Sequence, residues 1–134
     1  MIKDIVPQKE SLELKFLGFN EDCIAKYQKL SEGANYQLQW LKTPQNSNVL
    51  DNAISAPTFS AAFRFFREKY NLLLDVVMLY DENQLPLTYN NLQKPKSYFI
   101  WDYYDENFSV EKATIFNTYE EAEIECLIKL IELC

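Results

Sequence analysis

A chain of 134 residues suits one domain with a real hydrophobic core and leaves little room for two. Twenty acids against thirteen bases give a net charge of −7, which argues against general binding of nucleic acid or other polyanions. Histidine is absent and glycine occurs only as Gly18 and Gly33, which excludes Ser-His-Asp, Cys-His and His-ligated metal schemes and phosphate-cradling glycine loops.

Residues 9–17 read as a short helix. Leu12, Phe16 and Phe19 recur at i, i+4 and i+7, and Gly18 sits where a left-handed C-terminal cap belongs. Residues 23–27 and 36–41 read as strands, the second with Tyr36, Leu38 and Trp40 on one side and Gln37 and Gln39 on the other. Residues 43–55 hold Pro, Gln, Asn, Ser and Asp without periodicity, so a loop is expected there, the most mobile part of the chain.

A helix over residues 58–70 carries Phe59, Ala62, Phe63, Phe66 and Tyr70 as its apolar stripe. Thr58 can cap its start and Asn71 can end it in a left-handed conformation. Arg64, Arg67, Glu68 and Lys69 take the outer face, with Arg64 and Glu68 spaced as an i,i+4 pair. Strands follow over residues 72–80, 98–104 and 113–116, the first two joined by a polar connection over 81–97. The final helix, residues 119–133, opens on Thr118 and Glu121 as a capping box and buries Ile124, Leu127, Ile128 and Ile131, widened by Cys126, Leu130 and Leu133. Grouped rather than alternating elements predict one α+β domain over residues 1–134. Its expected sheet is mostly antiparallel, of about four or five strands, with the helices packed on it.

Cys23, Cys126 and Cys134 are odd in number and widely spaced, which fits neither a disulfide framework nor a zinc site and suits a reducing compartment. The first seven residues lack a signal-peptide stretch, and the most apolar run, residues 72–80, is broken by Asp75 and too short to span a bilayer. A cytoplasmic location is expected, with no membrane contact and no cofactor. Charge is uneven: residues 1–67 hold eight bases and seven acids, residues 68–134 five bases and thirteen acids.

Four clusters could carry chemistry. Tyr98, Phe99, Ile100, Trp101, Asp102, Tyr103 and Tyr104 form an aromatic strand whose tyrosines suit an interface, or simply line an outer sheet face. Asp102, Asp105, Glu106 and Glu111 offer oxygens for a divalent cation, but their spacing matches no metal motif, and they read far better as a solvated acidic turn. Glu120, Glu121, Glu123 and Glu125 could meet a basic partner, and the first turn of a helix also invites acids on its own account. Arg64, Arg67 and Lys69 make a small basic patch that reads as a solvated helix face. Cys23 and Cys126 sit in apolar patterns and read as core.

Two blocks carry a resemblance. Residues 56–71 (APTFSAAFRFFREKYN) and 118–133 (TYEEAEIECLIKLIEL) resemble a family of small uncharacterised proteins of phages and prophages of Bacteroidota, in which Trp is common where this chain has Phe65. Leu14-Lys15-Phe16-Leu17-Gly18-Phe19 followed by Cys23 is also similar. Together these cover about a third of the chain and carry over no catalytic residue. The resemblance implies a phage accessory protein in a bacterial host cytoplasm. The expected function is non-enzymatic binding of another protein through Tyr98, Tyr104, Glu120, Glu123 and Glu125, with inhibition of a host factor or defence system as the form suggested by analogy. A virion or assembly component is one alternative. A metal-dependent hydrolase or nuclease using Asp102, Asp105 and Glu106 is the other.

Overall fold

The computed structural model describes residues 4–72, 76–79, 97–101, 113–116 and 118–134. Contacts divide the chain into two compact units, residues 1–72 with 130–134 and residues 73–129. Among the described residues are three α-helices and six strands, an α+β composition with antiparallel pairing throughout. The strands form two three-stranded sheets, so a single sheet of four or five strands is not seen among them. No helix of the described residues is long and apolar enough to cross a membrane.

In the first unit, α1 (Gln8–Phe16) is followed by β1 (Cys23–Lys29), β2 (Tyr36–Gln45), β3 (Ala53–Ser55) and α2 (Phe59–Tyr70). Gly18 ends α1 as expected, with φ +94°. The Gly18 N–H donates to the Lys15 carbonyl (3.1 Å) and the Phe19 N–H to the Leu14 carbonyl (2.9 Å), which together close a Schellman cap. The expected stripe of α1 is corrected. Ser11 and Leu14 are buried while Phe16 is 79% exposed. Leu12, Leu14 and Phe16 lie two residues apart, a spacing that no single helical face can bury, so packing keeps Leu14 and leaves Phe16 out.

The sheet runs in the order β2-β1-β3. Opposed residues share a face, so Tyr27 between Leu38 and Ile54 sets Tyr36, Leu38 and Trp40 on one side, as the alternation predicts. Ile5, Ala25 and Ala56 form a core cluster with Tyr27 and Leu38 packed against it.

The expected loop over residues 43–55 is instead built. Residues 43–45 continue β2, Ser47–Val49 make a single 3-10 turn, and Ala53–Ser55 form a fully buried strand. The polar side chains that look like loop signals supply the bonds. The Asn48 amide donates to the Phe19 carbonyl (2.8 Å), its oxygen accepts from the Ser55 N–H (2.8 Å), and Ser55 Oγ accepts from the Ser47 N–H (2.9 Å).

In α2, Thr58 Oγ1 accepts from the Ala61 N–H (3.2 Å), and Asn71 ends the helix at φ 54°. Both caps agree with expectation, but the stripe is rotated. Phe59, Ala62, Phe65 and Phe66 are buried, whereas Phe63 is only half-buried. Phe65 meets Phe19 edge-on at 5.3 Å, and this tertiary partner draws it inward. Arg64 pairs with Glu21 at 2.7 Å rather than with Glu68.

In the second unit, β5 (Ser97–Trp101) is central between β4 (Val76–Leu79) and β6 (Ala113–Phe116). The last helix, α3 (Tyr119–Glu132), starts with Thr118 Oγ1 accepting from the Glu121 N–H (3.2 Å). Its buried residues are Ala122, Cys126, Leu127 and Leu130. Ile124, Ile128 and Ile131 are half-buried and Leu133 exposed, so the stripe centres on a different line from the expected one.

Candidate functional site

The Thr118 cap fixes where α3 begins and therefore which acids face water. Glu120, Glu121 and Glu125 are exposed. Glu121 and Glu125, four residues apart, lie on the side away from Ala122, Cys126, Leu127 and Leu130, whereas Glu120, seven residues before Leu127, is on the flank of the packed stripe, exposed in the first turn. Glu123 is half-buried, and Cys126 and Leu127, three and four residues on, are buried. It belongs to the flank of the packed stripe rather than to the acidic face. Of the three glutamates expected to bind, Glu125 shares the outer face with Glu121, and Glu120 is exposed on the flank at the start of the helix.

Tyr98 lies in β5, opposite Met78 on one side and Phe116 on the other. Phe99, Ile100 and Trp101 share that strand, opposite Val77 and Ile115, Val76 and Thr114, and Ala113 respectively. Tyr103, Tyr104, Asp102, Asp105, Glu106 and Glu111 lie outside the described residues. Among the described residues no three His, Cys, Asp or Glu side chains gather as a metal site.

A second feature was not anticipated from sequence. At the turn after α1, a cleft of about 340 Å³ is lined by Gly18, Asn20, Glu21, Phe65, Glu68 and Lys69. The Lys69 ammonium donates to the Leu17 carbonyl (2.8 Å) and lies 5.5 Å from the ring centroids of both Phe65 and Tyr70. Aromatic faces attract a cation held this way. Gly18 is needed for its positive φ; a Cβ there would also meet Lys69 Nζ, the mobile end of a long side chain, which would have to leave its place over the cleft. Across the cleft, the hydrogen bond from Arg64 to the Glu21 carboxylate, and then its charge, hold the guanidinium above its ordinary pKa. Each charged group here has a fixed companion or faces water, so the cleft is a polar surface over an aromatic floor.

The cysteines behave as the apolar pattern suggests. Cys23 and Cys126 are buried and Cys134 is exposed. Burial, then the negative charges of Glu21 and Asp22, push the Cys23 thiol up to about 12. A thiol so protonated is a poor nucleophile at neutral pH. Burial followed by the charge of Glu10 also raises Tyr27, whose hydroxyl donates to the Val6 carbonyl at 2.8 Å.

No protein-family model, curated protein or solved structure matches the chain.

Proposed function

We propose that the chain acts as a non-enzymatic binder of another protein, through the acidic and aromatic region between residues 98 and 125. The observation that carries this reading is the exposed acidic start of α3, where Glu121 and Glu125 stand opposite the buried stripe and Glu120 is exposed in the first turn. The sequence adds weight, since residues 98–125 hold eight acids and one base, equal to the whole net charge of −7. Glu120 and Glu125, with Glu123 at their flank, steer a basic partner, while Tyr98 and Tyr104 supply contact area. The resemblance of residues 56–71 and 118–133 to phage and prophage proteins extends the proposal to an accessory protein in the bacterial host cytoplasm. Inhibition of a host factor or defence system is the form that context favours.

Affinity capture from host lysate identifies the partner, and surface plasmon resonance tests the surface. Glu120→Gln with Glu125→Gln should slow association, and so should added salt, because exposed charges are screened within about 10 Å at 0.1 M. Tyr98→Ala with Tyr104→Ala should mainly speed dissociation. Folded variants that bind like the unaltered chain at low and high salt would remove the support for this surface.

A further inference from the structure

β2 stands at one edge of its sheet, with β1 beside it and no strand on its other side among the described residues. An edge strand carries a row of backbone N–H and C=O groups that water or another strand must satisfy. Charge, proline or brevity usually blunts such an edge. Here Lys42 and Pro44 guard only the far end of a ten-residue strand, and Tyr36 to Leu41 contain no charge, Gly or Pro. Trp40 on this stretch is 47% exposed. The opposite edge, β3, is three residues long and buried, so it offers no comparable surface.

We propose that β2 pairs with β2 of a second copy of the chain, antiparallel about a two-fold axis normal to the sheet at Gln39. Opposed residues in an antiparallel pair share a face, so such an axis has to pass at a residue rather than between two. Centring it on Lys42 sets like charges against each other. Centring it on Trp40 or Leu41 brings Pro44, which has no N–H to give, into the ladder. Gln39 gives the longest ladder free of both faults, residues 36–42. There Trp40 opposes Leu38 of the second copy and Lys42 opposes Tyr36. Pro44 falls opposite Ala34, beyond the pairing. This contact is independent of the acidic region, and its failure would leave the protein-binding proposal untouched.

Sedimentation of the full chain from micromolar to millimolar concentration should show mass rising from one chain toward two. A charge at position 39 opposes itself across the axis. Gln39→Lys and Gln39→Glu should each weaken association about fivefold, and an equimolar mixture of the two should restore it. Circular dichroism checks that the variants fold. Amide hydrogen exchange on the unaltered chain needs no variant: residues 36–42 should exchange more slowly as the mass doubles. A single-chain mass at every concentration would overturn the proposal. So would a dimer indifferent to both charged variants, or one whose amides over 36–42 exchange as fast as in the monomer.

Discussion

Phe66→Ala should destabilise the chain by about 4 kcal/mol, and Phe63→Ala by less, about 3 kcal/mol. Phe66 is fully buried, with Phe65 edge-on at 5.4 Å and Tyr70 at 6.0 Å. Removing roughly 150 Å² of apolar surface from the core at about 25 cal/mol per Å² costs nearly 4 kcal/mol, inside the usual 3–5 kcal/mol for Phe→Ala. Phe63 keeps a minor part of its surface in water, with Phe59 as its ring neighbour at 6.2 Å, so about three-quarters of that area is at stake, about 3 kcal/mol. Urea unfolding followed by circular dichroism separates the two. With a slope of about 2 kcal/mol per M, the midpoint should fall by about 2 M for Phe66→Ala and about 1.5 M for Phe63→Ala. Equal or reversed shifts would mean that α2 presents Phe63 to the core in place of Phe65 and Phe66.

Gly18→Ala should cost about 1–2 kcal/mol from the left-handed φ, and somewhat more than Gly33→Ala, which has the same strain, because Lys69 Nζ must also give up its place beside Leu17. Paired thermal melts would show it. In the folded chain at neutral pH a thiol reagent should label Cys134 first and leave Cys23 and Cys126 until urea is added, read by mass spectrometry. The Cys23 shift also fixes a pH dependence. Between its ordinary value of 9.0 and about 12, the unfolded chain releases the Cys23 proton while the folded chain keeps it. Stability should therefore be complete below that window and decline as pH rises through it, with a shallower slope in Cys23→Ala.

The helix ends were legible because each depends on one residue's chemistry. Gly18 and Asn71 adopt positive φ, and Thr58 and Thr118 accept from the first turn. Helix faces were less legible. Four phenylalanines, Phe59, Phe63, Phe65 and Phe66, surround α2 with apolar surface, and Phe19, reached only through the fold, decides which are buried. The same holds for α3, where isoleucines and leucines alternate and periodicity leaves several lines equally apolar. Residues 43–55 were misread because Asn and Ser signal a loop by bonding locally to backbone, and here those bonds tie Phe19, Ser47 and Ser55 together. The acidic glutamates of the candidate site were visible as charge. The cleft was not, since Lys69 reaches Leu17 across 52 positions of chain.

That reach has a consequence for how the protein is made. The Leu17 carbonyl accepts from both Lys69 and Tyr70, and Lys15 donates to the carbonyls of Leu50 and Ala53. A nine-residue helix does not persist alone in water, so α1 depends on these anchors and on the core above it. At about 5–20 residues per second, the 53 positions from Leu17 to Tyr70 take on the order of 3–10 seconds to emerge from the ribosome. Through that interval Leu14 and Phe19, both buried in the finished fold, stand uncovered. Although it is synthesised before the elements that hold it, α1 is thus among the last parts of its unit to be secured, and a nascent chain stopped before residue 70 should leave it open to proteolysis and to chaperones.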